Sequence, residues 1–117
     1  MVRHLDDEPY LRAMHDILEQ GKSRASVATV DPVQHFIRIH SENLSAYRTL
    51  SPPASLAEAH AEIVKVSEAI RDRLRQAGTL EELGASEDLR DIVERGAAAF
   101  RVLQRESDRL GLGLSFR

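Results

Sequence analysis

The feature that most constrains this chain is a repeated spacing. Four stretches carry apolar residues three and four positions apart. The first holds Leu11, Met14 and Leu18, then Ala25 and Ala28. The second holds Val33, Phe36, Ile37, His40, Leu44, Tyr47 and Leu50; the third Leu56, Ala59, Ile63, Val66, Ile70, Leu74 and Ala77; the fourth Leu89, Ile92, Val93, Ala99, Phe100, Leu103 and Leu110. On an α-helix such spacing gathers the apolar side chains into one stripe, and a lone amphipathic helix has nothing against which to bury it. Four such helices joined by short turns satisfy one another as an all-α, up-down-up-down four-helix bundle, which is the expected fold.

The breaks between stripes have their own chemistry. Asp31-Pro32 reads as a helix N-cap followed by proline at the first helical position. Ser51-Pro52-Pro53 stops one helix and starts the next, because neither proline donates a backbone hydrogen bond and each fixes φ. Gly78 to Ser86 contains two glycines, a Thr79-x-x-Glu82 capping box and Ser86 as a fresh cap. These marks predict helices over 6–28, 31–50, 53–77 and 86–110, a short turn over 79–84 and a tail over 111–117, all in one domain, 1–117. Gly21 weakens the first helix by about 1 kcal/mol relative to Ala, but its neighbours need a mate of equal length, so the helix is carried through it. Gly96 with Ala97 to Ala99 forms a small-residue patch that a neighbour can approach closely. The tail is expected to leave the last helix at Gly111 and lay Leu112, Leu114 and Phe116 over the bundle end.

Composition agrees and excludes several function classes. Leu, Ala and Arg each occur 14 times in 117 residues, whereas aromatics make up 4%, which favours helix over strand. The apolar share of 42% is enough for a core. With no cysteine, disulfides, thiol catalysis and thiolate metal sites are ruled out. A net charge of −3 argues against a general binder of nucleic acid or anionic membranes. The longest charge-free stretch, Thr49 to Ala57, is far shorter than the roughly 20 apolar residues of a membrane span. The polar, acidic start, Met1 to Glu8, does not read as a signal peptide.

The histidines His4, His15, His35, His40 and His60 are the obvious candidates for chemistry. Two helical i,i+4 pairs, Asp31 with His35 and His15 with Glu19, place both groups on one face. His40 falls on an apolar stripe, and antiparallel register sets it level with Glu19 and Ile63. A mid-height cluster of His15, Glu19, His40 and His60 is therefore the candidate for a single transition-metal site or a proton-linked switch. Set against it is the plainer reading: one buried histidine hydrogen-bonded to an acidic neighbour, with His15 and His60 on the rim. No Glu-x-x-His pair of the di-metal bundles occurs. Catalytic signals are missing too: there is no Gly-x-Ser-x-Gly and no Gly-x-Gly-x-x-Gly, and Gly21-Lys22-Ser23 is only the end of a phosphate loop. His60 to Lys65 does not match the exposed histidine and Lys-Gly of phosphotransfer bundles. Arg101, Arg105 and Arg109, with Glu106 and Asp108 among them, read as a solvated, salt-bridged face, as do Arg71, Arg73 and Arg75.

The segment Leu50-Ser51-Pro52-Pro53-Ala54-Ser55-Leu56 with His60, and Ala99 to Gln104 closing on Leu110-Gly111-Leu112, resemble a group of uncharacterised bacterial helical-bundle proteins. Many of those are extracytoplasmic and lipid-anchored, with a Pro-Pro corner between two long helices. The resemblance spans about residues 10 to 114 and implies a four-helix bundle with no assigned reaction. It points outside the cytoplasm, whereas Met1 to Glu8 does not read as a leader and there is no cysteine to carry a lipid; the expectation is a soluble protein, cytoplasmic or, if a leader has been removed, extracytoplasmic.

The sequence thus favours a non-enzymatic interaction or structural bundle with no cofactor, acting through protein contacts as a homo-oligomer. Ile17, Ile39, Val64 and Val102, at the edges of the stripes or off them, supply the apolar area for a partner. The alternative is a bundle that binds a metal or small ligand through the histidine cluster.

Overall fold

A computed structural model describes residues 3–27, 29–77, 79, 81–82 and 87–116, residues 3–6 through their backbone. The four stripes become four helices: α1 (Arg3–Ala25), α2 (Pro32–Arg48), α3 (Ala57–Gln76) and α4 (Glu87–Leu110). Among the described residues there is no strand. The helices alternate in direction and form an all-α, up-down-up-down four-helix bundle. The pairs α2–α3 and α3–α4 pack over the greatest length, α1–α2 over less and α1–α4 over least.

The punctuation acts where the sequence places it. Asp31 caps α2, its carboxylate oxygen accepting from the Gln34 N–H at 3.1 Å, with Pro32 at the start of the helix. The Thr79 hydroxyl accepts from the Glu82 N–H at 3.2 Å, one half of the expected capping box. Gly78, Gly84 and Ser86 lie outside the described residues. Four helix boundaries shift by more than one residue, the first of them the start of α1, at Arg3 rather than 6. α2 stops at Arg48 rather than 50, because the Thr49 hydroxyl and N–H both turn back to the Ala46 carbonyl. The chain after it stays extended through Pro53 and makes one 3-10 turn, Ala54–Leu56, before α3 begins. α1 ends at Ala25, where the Ser26 hydroxyl bonds the Ser23 carbonyl at 2.7 Å. Ala25 is exposed, so the first stripe ends earlier than its spacing suggests; Ala28 lies outside the described residues.

The main buried cluster lies toward the end of the bundle that holds the Pro-Pro corner. There Leu11 and Met14 of α1, Tyr47 of α2, Leu56, Ile63 of α3 and Leu103 of α4 form one buried cluster. Each fully buried Leu or Ile contributes about 1.5–3 kcal/mol. Two glycines bring helices together. A Cβ on Gly21 would stand 2.8 Å from Asn43 Nδ2, and one on Gly96 would stand 2.9 Å from Val66 Cγ1. α1 therefore lies close on α2, and α4 close on α3.

The tail departs from expectation in direction. Gly111, at φ +67°, takes the left-handed conformation that glycine adopts without cost. The Leu112 N–H reaches the Ser107 carbonyl and the Gly111 N–H the Asp108 carbonyl, both at 3.1 Å, a Schellman closure. The chain then doubles back along α4 instead of crossing the bundle end. Gln104 holds it at two points, accepting from the Phe116 N–H and donating to the Leu114 carbonyl, each at 2.8 Å. Phe116 is 4% exposed. Its ring meets His15 of α1 edge-on and stacks on Phe100 of α4, so the tail plugs one stretch of the α1–α4 seam.

Candidate functional site: an open seam between the first and last helices

Beyond Phe116 the α1–α4 seam remains open and forms a cleft of about 760 Å³. Its floor comes from α2 and α3, through Tyr47, Ile63, Val66 and Ile70. α4 forms one wall with Val93, Gly96, Ala97 and Phe100, while Leu18 stands on the α1 side. Few polar groups converge on it: His40, Asn43, Ser67 and Gln104 within, and Arg101 and Arg105 along the α4 rim. A largely apolar concavity of roughly 300–1,000 Å³ with a few placed polar groups is the usual form of a small-molecule site.

The glycine contacts lie on either side of the opening: at Gly21 α1 lies close on α2 and at Gly96 α4 lies close on α3, away from the α1–α4 seam. The α4 wall at this level carries Gly96 and Ala97, which are too short to span the gap.

The four residues expected to share a metal do not come together. Among the described residues no three His, Asp or Glu side chains are placed to hold an ion. His15 pairs with Glu19 at 3.6 Å on the α1 surface, where Lys22 also approaches that carboxylate, and its ring lies against Phe116. His60 is not on the rim but buried at 7% exposure. Its Nδ1 lies 2.7 Å from the Tyr10 hydroxyl, and its ring also bonds the Tyr47 backbone carbonyl. A neutral ring satisfies both contacts, with Tyr10 donating to Nδ1 and Nε2–H donating to the carbonyl. Burial lowers the His60 pKa, the bond to Tyr47 opposing it in part. Burial also pushes the Tyr47 phenol up to about 12 and drives Tyr10 higher still, with the charge of Tyr47 adding to it. Tyr10, His60 and Tyr47 thus form a neutral polar clasp between α1, α3 and α2.

His40 has a different environment. It lines the cleft, takes part in no hydrogen bond or ion pair among the described residues, and has its pKa lowered by burial. At neutral pH it offers an uncharged imidazole to the cleft. His35 serves the fold, its Nε2 donating to the Arg24 carbonyl at the end of α1 at 2.7 Å; the expected Asp31–His35 side-chain pair is not made. The side chain of His4 lies outside the described residues.

The apolar residues expected to form a partner face are placed otherwise. Ile39 is 5% exposed, and Ile17 and Val64 pack against the core; only Val102 reaches the surface. A single stripe per helix leaves those positions spare, whereas each helix packs against neighbours on two sides.

The arginine ladder divides. Arg109 pairs with Glu106 and Arg101 makes one 3.4 Å contact with Glu94, as a solvated face would. Yet Arg101 and Arg105 also stand on the cleft rim, and among the described residues no Asp or Glu lines the cleft. The spacing carries a signal for this, since Val93, Ala97, Arg101 and Arg105 recur at intervals of four along α4. Comparison with known protein families, characterised sequences and solved structures returns no match.

Proposed function

We propose that this chain is a non-enzymatic binding protein that holds a small, predominantly apolar molecule in the α1–α4 cleft. The observation that carries this reading is the cleft of about 760 Å³, of ligand-site size, with apolar walls and a few inward polar groups. It retains the small-ligand alternative drawn from the sequence and moves the site from a histidine cluster to the helix seam. The residues that meet in it include no activated nucleophile and no acid–base pair, which supports binding over turnover.

The test is a titration with decanol, an uncharged apolar probe, followed by backbone NMR and thermal unfolding. Shifts confined to Gly96, Ala97, Phe100 and their neighbours, with a melting temperature that rises with probe concentration, support the reading. Ala97→Trp, which fills the cleft from its wall, should abolish both responses. A probe that leaves these resonances unmoved contradicts it. The second reading, a self-associating interaction bundle, rests on Val93, which is 51% exposed at the cleft. A dimer in light scattering that is broken by Val93→Glu would favour that reading.

No helix among the described residues is long and apolar enough to cross a membrane.

A further inference from the structure

The cleft has a charge pattern that narrows the class of ligand, on the reading that it binds one. The chain carries 19 acidic residues and a net charge of −3, yet among the described residues the cleft lining contains two guanidiniums and no carboxylate. Arg101 and Arg105 lie one turn apart on the same face of α4. Arg105 forms no ion pair among the described residues, and Arg101 has a single 3.4 Å contact with the exposed Glu94, which an incoming anion can replace at little loss. Both sit at the rim, whereas the interior is apolar or neutral. Positive charge therefore meets water only along one edge of a greasy trough.

We propose that the cleft binds a single-chain anionic amphiphile: a carboxylate held by Arg101 and Arg105, and an unbranched alkyl chain laid toward Val93 and Ile70. A planar guanidinium presents paired donors that match a carboxylate. Phe116 closes the seam on the side of Gln104, so the chain runs the other way, past Gly96 and Ala97. From Arg101 to Val93 the wall spans roughly 12 Å at about 1.5 Å per residue, which accommodates about ten carbons in zigzag. One seam one helix-gap wide takes one chain.

Calorimetric titration of the intact chain with decanoate, decanol and decylammonium tests this. Decanoate should bind at least tenfold more tightly than decanol, and decylammonium more weakly than either. Arg101→Gln/Arg105→Gln, at two exposed positions, should bring decanoate down to the affinity of decanol and leave decanol unchanged. Raising the salt concentration should weaken decanoate alone. Equal affinity of decanoate and decanol would overturn the anionic head while leaving the binding cleft standing. Failure of all three probes to bind would overturn both. Decanoate binding that survives the double substitution at full strength would place the head elsewhere and refute the assignment.

Discussion

The two close glycine contacts make opposite predictions for the same substitution. Gly96→Ala puts a methyl carbon 2.9 Å from Val66 Cγ1, with Val66 Cβ at 3.7 Å and Cγ2 at 3.9 Å. Comfortable carbon contacts are about 3.5–4.0 Å. Val66 is β-branched and holds essentially one rotamer on a helix, so it cannot swing aside and α4 must lift from α3. Alanine gains about 1 kcal/mol of helix propensity, while overpacking costs about 1–3 kcal/mol; the expected net is a loss of about 1 kcal/mol. Gly21→Ala meets only Asn43, its nearest atom the terminal Nδ2 at 2.8 Å. That amide can rotate toward the cleft, so most of the propensity gain survives and the variant should be more stable by about 0.5–1 kcal/mol. Urea unfolding followed by circular dichroism reads both signs. Adding Val66→Ala to Gly96→Ala removes the clash, and the double-mutant cycle should show coupling of about 1 kcal/mol or more. If Gly96→Ala stabilises as much as Gly21→Ala, or the cycle shows no coupling, the close α3–α4 contact is refuted.

Further outcomes follow from the buried polar groups and the tail. His40 and His60 have folded-state pKa values below those of the unfolded chain, so the unfolded state takes up protons first. Stability should be full above about pH 6.5 and fall as pH drops below it, by up to about 1.4 kcal/mol per pH unit per histidine. His60→Gln and His40→Gln should each flatten that slope in urea melts, and a slope unchanged in both would contradict the assignment. Tyr10→Phe leaves His60 Nδ1 without its donor and should cost about 1–3 kcal/mol, measured by the same melts; a neutral result would remove the clasp. Gln104→Ala removes its two bonds to the tail, for about 1–2 kcal/mol, and the Phe116 amide should lose at least tenfold of its hydrogen-exchange protection; unchanged protection would mean that Gln104 does not hold that amide.

Much of the architecture was legible because it rests on local rules. The stripe through Leu56, Ile63, Val66 and Leu74 needs only helical periodicity, and all four are buried. Asp31 and Gly111 act through backbone geometry that a residue type dictates wherever it stands. The site was less legible because it depends on distances between helices. The apolar stripe marks His40 as an inward polar residue, but the separation of α1 from α4 decides that it faces a cleft and not Glu19. His60 finds a phenol and a carbonyl rather than an acid, since Tyr10 reaches it across the bundle from α1. Gln104 gave no signal, because its pairing with residues 114 and 116 exists only once the tail has reversed. The dual use of Arg101 was hidden by Glu106 and Asp108, which make the ladder read as a salt-bridged face although neither lines the cleft.

The seam that carries the proposed function and the packing that carries the fold meet at Gly96. This residue lets α4 settle onto Val66, and α4 settles at the expense of its contact with α1, which leaves the cleft. The cleft width is then set from behind its wall. Gly96→Ala should lift α4 from α3 toward α1 and narrow the cleft without touching Arg101 or Arg105. Alkyl carboxylates should therefore bind more weakly, with decanoate and decanol losing affinity by the same factor, because the change acts on the shared chain and not on the head. Arg101→Gln/Arg105→Gln should show the opposite separation, with decanoate losing affinity and decanol keeping it. Calorimetry on the two variants tells helix spacing apart from charge. If Gly96→Ala weakened decanoate and spared decanol, the glycine would be acting through the arginine rim, and the account of the cleft as a gap opened by close packing on either side would fail.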